Sequence, residues 1–248
     1  KINQMTHKEA DPDWAGSFII SGAAVQNAAG VKDLVIKAED KTLKLKVALD
    51  KDTVPPDPNA GILNNRIPLR GIDNSIAGST TTITAGTLDI NIDNTYSRTT
   101  SSGNPMIGEG GAIGIYAKSA GEKAVVEVTG NTAIKAHGYN NVYGINAAHG
   151  SGVVATDGAT VNLGAADIEV KNNSDEDGYG FHALGAALGT VNVGGEGKTV
   201  TVKGNAGLFG KQGQKFAGDS KKSVINLKLT TEDSAWTGVA YKHFDAEK

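Results

Sequence analysis

Cysteine is absent from the 248 residues, so disulfide bonds and thiolate chemistry are excluded, although the absence alone names no compartment. Aromatic residues make up only 5% and hydrophobic residues 39%. A single round core in a chain of this length would want more large apolar side chains. A narrow core filled by Val, Ile, Leu and Ala needs fewer, which favours a solenoid over a sandwich or an α/β enzyme. Charge of one sign is also in short supply: the net charge of −3 gives no electrostatic attraction for nucleic acid. No apolar run reaches the roughly 18 residues that would span a membrane. Residues Lys1 to Asp13 are polar and lack the apolar stretch of a signal peptide, so the chain is expected to be a mature or trimmed segment.

What the chain does have is glycine, 33 residues of it, and repetition. Between Val142 and Asn205 one unit occurs twice. The first copy reads Tyr-Gly-Ile-Asn-Ala, a loop, Ala-Thr-Val-Asn-Leu, a turn, then Ile-Glu-Val-Lys-Asn-Asn. The second reads Tyr-Gly-Phe-His-Ala, a loop, Gly-Thr-Val-Asn-Val, a turn, then Val-Thr-Val-Lys-Gly-Asn. Each unit holds three short runs of period-two alternation punctuated by Gly or Asn, the pattern of strands. Val161 and Leu163 fall on one face and Thr160 and Asn162 on the other; Ile168 and Val170 face in, Glu169 and Lys171 out. Upstream, Ile113–Ala117, Val125–Val128 and Ala133–Ala136 reproduce the three strands, and Ala206–Gly210 with Val224–Leu227 begin another copy.

One such unit cannot bury its apolar stripe alone, whereas strands stacked on their copies pair and bury a continuous core. The expected fold is therefore all-β, a single parallel β-helix. At roughly 27 to 30 residues per turn it would contain about eight or nine three-strand rungs, in a rod on the order of 40 Å long.

The chain divides into a lead-in or cap over 1–15, a β-helix segment over 16–241, and a charged tail over 242–248. Phe18–Ile20, Leu34–Ile36 and Leu43–Leu49 are expected to supply a first rung, with lysines on the outer side of the last run. Strands resume at Gly61–Leu63, Arg66–Leu69, Thr81–Thr84 and Thr87–Ile92. Loops are expected at 50–59, where Val54-Pro55-Pro56-Asp57-Pro58 holds half of the six prolines, and at 94–111, a Ser-, Thr- and Gly-rich insertion.

If the glycines at 114, 144, 180 and 207 stack, the residues two later, Tyr116, Asn146, His182 and Phe209, form one outward column. Aromatic faces aligned along a rod can hold sugar rings or a partner's side chains, which makes this column the candidate ligand-binding site. A second column, Glu127, Asn162, Asn192 and Asn226, is polar and expected to be structural. Lys211, Lys215, Lys221 and Lys222 cluster around a long loop and form a candidate site for an anionic glycan.

Enzyme and metal motifs resolve into turns. Gly194–Thr199 imitates the end of a phosphate-binding loop, but Asn192 stands where the first glycine belongs and Val200–Val202 reads as a strand, not a helix. A β-turn is expected there. Asn173, Asp175 and Asp177 resemble half of a calcium loop, yet Leu184 occupies the position of the bidentate Glu, so a solvated turn is expected. The five histidines, His7, His137, His149, His182 and His243, show no paired ligand spacing. No catalytic residues, metal site or cofactor are expected.

Three stretches carry a family resemblance: Gly152-Val-Val-Ala-Thr-Asp-Gly-Ala-Thr-Val-Asn-Leu163, its echo Gly189-Thr-Val-Asn-Val193, and Asn226-Leu-Lys-Leu-Thr-Thr-Glu-Asp-Ser-Ala-Trp-Thr-Gly238. Over about Gly111 to Tyr241 the chain resembles the passenger domains of monomeric bacterial autotransporters, the pertactin-like family. That resemblance implies a right-handed β-helix, exported through a C-terminal β-barrel and displayed outside the outer membrane of a diderm bacterium. The absence of cysteine fits passengers that cross the outer membrane unfolded. Nothing after Tyr241 could form the barrel, so the chain would be an excised passenger segment. The expected function is non-enzymatic adhesion to host glycans or matrix proteins, or self-association between passengers on neighbouring cells in aggregation and biofilm formation. No nucleic acid partner and no membrane insertion of this segment are expected. The alternatives are a polysaccharide-degrading β-helix enzyme and a passive stalk presenting another domain.

Overall fold

The computed structural model describes residues 22–27, 30–48, 69–93, 97–99, 105–107, 112–119, 123–138, 151–156, 158–172, 182–209 and 223–243. Among them the protein is all-β. The first pass of the chain consists of β1 (Gly22–Gln26), β2 (Asp33–Lys37) and β3 (Thr42–Ala48), and the second of β4 (Leu69–Asn74) and the long β5 (Thr80–Asp93). Between them and the third pass, β6 (Ser97–Thr99) and β7 (Pro105–Ile107) form an antiparallel pair inside the expected 94–111 loop. The third pass is β8 (Ala112–Lys118) and the long β9 (Val125–Gly138); the fourth is β10 (Ser151–Thr156), β11 (Thr160–Leu163) and β12 (Ala166–Asn172). The fifth is β13 (His182–Ala187), β14 (Thr190–Val193) and β15 (Val200–Lys203). The sixth is β16 (Asn205–Phe209), β17 (Val224–Leu227) and β18 (Ala235–Thr237), and β19 (Ala240–His243) starts a seventh.

Corresponding strands of successive passes pair in parallel. One sheet runs β1-β4-β8-β10-β13-β16-β19. The other sheet is bent along its middle, because β5 and β9 each pass through the bend and serve two ladders. Its first face is formed by β2, the start of β5, the start of β9, β11, β14 and β17; its second face by β3, the rest of β5 and β9, β12, β15 and β18. Alternation then does what the sequence predicts. Val126, Val161 and Val191 on the first face and Ile90, Ile134, Ile168 and Val202 on the second turn into a core shared with Ile115, Val153 and Leu184 of the other sheet. Glu169 and Lys171 turn outward and pair at 3.2 Å.

The bend requires glycine at 130. Its φ is +103°, and a Cβ there would stand 1.8 Å from the Ala85 carbonyl oxygen. Runs expected as separate strands, Thr81–Thr84 with Thr87–Ile92 and Val125–Val128 with Ala133–Ala136, are thus single strands that turn a corner.

The register corrects the repeat as read from the sequence. Gly114 lies between Ile113 and Ile115, which stand opposite Ser151 and Val153, so its neighbour on β10 is Gly152 rather than Gly144. Likewise Gly207 faces Gly185, not Gly180. Residues 152–156, expected within a loop, form the strand, while the Tyr-Gly-Ile-Asn-Ala run at 143–147 lies outside the described residues. The physical reason is the inward pair just before the corner: Ile115 and Ala117 match Val153 and Ala155, then Leu184 and Ala186, all fully buried. Core burial sets register, and local likeness of Tyr-Gly dipeptides does not.

Most of the passes are also longer than expected. Leu69 stands opposite Ala112, and Ile113 opposite Ser151. The described residues accordingly hold six complete passes and part of a seventh, rather than eight or nine. Most of the extra length falls at one corner. The links from the second face to the other sheet contain residues 49–68, 94–111, 139–150 and 173–181 in successive passes, then Gly204 alone, then 238–239.

Candidate binding surface

The outer side of the first face carries the expected second column in register: Thr82 opposite Glu127, Glu127 opposite Asn162, Asn162 opposite Asn192, and Asn192 opposite Asn226. Strand alternation places these side chains outward, because Val126, Val128, Val161, Leu163, Val191 and Val193 on either side of them are buried. The amides bond to one another in one direction. Asn226 Nδ2 donates to Asn192 Oδ1 at 2.7 Å and Asn192 Nδ2 to Asn162 Oδ1 at 2.6 Å. Asn162 Nδ2 then donates to the Glu127 carboxylate, where the row ends. Each bond contributes about 0.5–1.5 kcal/mol net, and together they fix the plane of every amide. Beside this column stand Val125, Thr160, Thr190 and Val224, also in register.

The second face is charged instead. Lys44 stands opposite Asp89, and Lys135, Glu169 and Lys203 follow one another across three strands. Thr201 Oγ1 donates to Asp167 at 2.5 Å from the adjoining strand. Opposite charges in cross-strand neighbours favour this face, and Glu169 pairs with Lys171 on it.

A third group lies on the other sheet. Arg70 sits over the Tyr116 ring at 4.0 Å and its Nη1 donates to Asp73 Oδ2 at 2.5 Å; Ser75 Oγ donates to Asp73 Oδ1 at 2.5 Å. Residues three apart on a regular strand point to opposite sides. Here Leu69 and Ile72 both enter the core, so alternation breaks at Gly71, where a Cβ would come within 2.4 Å of Ile90. The break brings Arg70 and Asp73 to the same side.

The expected aromatic column is not assembled. Tyr116 stands opposite Asp73 and Val154, while His182 stands opposite Asn205 and is only 2% exposed. Phe209 stands opposite Ala187 and His243. Asn146 lies outside the described residues, as do Lys211, Lys215, Lys221 and Lys222 of the candidate anionic-glycan site and Asn173–Asp177 of the calcium-like stretch. The column failed because it took its register from glycines that do not stack. The Arg70–Tyr116 contact was missed for a related reason: pairing Arg70 with Asp73 needs the irregularity at Gly71, for which the sequence offers only an isolated glycine within a strand.

Gly194–Thr199 is a turn, with Lys198 N donating to the Gly195 carbonyl at 3.1 Å. Among the described residues there is no group of three or more His, Asp or Glu placed to hold a metal ion, and no helix long and apolar enough to cross a membrane. Comparison with known proteins found no matching family, no matching curated protein and no matching solved structure.

Proposed function

We propose that the chain is a right-handed parallel β-helix and the attachment segment of a surface-displayed bacterial protein, the passenger part of an autotransporter, acting without catalysis. The observation that carries this reading is the in-register column from Glu127 to Asn226, a bonded polar surface continued from strand to strand. A surface that repeats in this way offers many weak contacts at once, and linked weak contacts gain strength through effective concentration. Right-handedness is supported by the steric rule that parallel strands joined by crossovers almost always follow that hand. The partner is a host glycan, a matrix protein or the same protein on a neighbouring cell. The test is a binding screen of the purified chain on glycan and matrix-protein arrays, with light scattering for self-association and reducing-end release measured in parallel. Saturable binding or self-association without sugar release is expected. Release of reducing ends would replace adhesion with polysaccharide cleavage, and silence in every assay would favour a passive stalk.

A further inference from the structure

From the outer side of the first face we infer that the row Asn162–Asn192–Asn226 is a binding track for a neutral, hydroxyl-rich polysaccharide lying along the stack of strands. The assignment rests on the attachment reading above and adds to it a face, a set of residues and a ligand class. Three observations carry it.

The first is what the amides have left to offer. A primary amide has two N–H donors and two acceptor lone pairs. Within the row, Asn162 and Asn192 each spend one donor and one acceptor on their neighbours, and Asn226 spends one donor. Every amide therefore retains at least one donor and one acceptor, repeated at the strand spacing of about 4.8 Å. A hydroxyl group both donates and accepts, so a polyol meets such a row with both halves of its bonding satisfied.

The second is pre-organisation. The amides are held in place by one another at 2.6 and 2.7 Å before any ligand arrives. Binding then costs little side-chain entropy, which is the usual charge against polar surface contacts.

The third is charge. Val125, Thr160, Asn162, Thr190, Asn192, Val224 and Asn226 bring none, and the single carboxylate of Glu127 closes one end. An anionic glycan would meet that carboxylate with repulsion. A protein partner would ordinarily be anchored by Trp, Tyr or Arg, and none stands in these columns. The neighbouring second face carries the charges of Lys135, Glu169 and Lys203, so the row is the neutral polar surface of the two.

The test is affinity electrophoresis and titration calorimetry of the whole chain against dextran, a soluble β-1,3-glucan and a mannan, with heparin in parallel. At least one neutral polysaccharide should bind. The triple variant Asn162→Val, Asn192→Val, Asn226→Val should weaken that binding about tenfold or more, while Lys135→Ala on the second face leaves it unchanged. Valine favours strands, so circular dichroism and the melting transition should show the triple variant folded. Should it misfold, Asn226→Ser at the exposed end leaves the Asn192–Asn162–Glu127 bonds intact and should still weaken binding. Neutral-glycan binding untouched by these variants, or binding to heparin alone, overturns the track while the attachment reading stands. No binding to any polysaccharide also overturns it, and only added silence on matrix proteins and in self-association would remove the attachment reading as well.

Discussion

At Gly130 the backbone has φ +103°, and an added methyl group would be driven into the Ala85 carbonyl on the strand before it. Gly130→Ala is therefore expected to lower stability by about 1–3 kcal/mol, read from the urea midpoint at unchanged slope. Asp73 offers a second residue-scale test. Its carboxylate accepts from both Arg70 and Ser75, its side chain is only 6% exposed, and Arg70 Nε is already buried without a hydrogen-bond partner. Asp73→Ala removes the acceptor for two donors and should cost about 1–3 kcal/mol by the same measurement. A cost below a few tenths would mean that water replaces the carboxylate freely and that the group is no structural unit.

For the strands, Trp236 on β18 shows how one element closes on the next. Its ring is partly buried against the core, and its Nε1 donates to the Gly204 carbonyl at 3.0 Å, while Val202 on β15 stands opposite it. Trp236→Ala should destabilise by about 1–3 kcal/mol, less than a fully buried Trp would. Hydrogen exchange should locate the loss: faster exchange in β18 and β15, with β4 and β8 unchanged. Faster exchange everywhere would mean that the passes open as one unit. Much of this scale was legible in the sequence. Thr160–Leu163 and Thr190–Val193 alternate cleanly, and their outward Asn residues align because both runs end at the same bend. The first strand of each pass was not legible, since Tyr143-Gly144 and Tyr179-Gly180 are alike as words while the buried pairs Val153 with Ala155 and Leu184 with Ala186 decide which segment enters the sheet. The Arg70–Asp73 pairing was hidden for the same kind of reason, depending on a break in alternation that only the packing of Ile72 reveals.

Considered as a whole, the molecule buries its core between successive passes, so each pass should contribute a similar, separable share of stability. Val161 and Val191 hold equivalent places one pass apart. Joining Thr160 directly to Val191, with 161–190 deleted, removes one pass and leaves the others in register. The shortened chain should remain a folded β protein by circular dichroism, with a smaller denaturant slope in proportion to the surface lost. Collapse into an aggregate or an unfolded chain would mean that the passes are not interchangeable units.

Most of the uneven links follow one edge, with residues 210–223 before β17 as a long link at another. From the second face to the other sheet the chain spends anything from residues 49–68 to the single Gly204, whereas the bend between first and second faces varies less, from the continuous β5 and β9 to residues 194–199 and 228–234. The strands of the asparagine row keep their pairing although the links around them differ in length, from 188–189 before β14 to 210–223 before β17. Strand pairing and link length are thus decoupled: the chain between two paired strands can grow or shrink without moving the residues that stand opposite one another.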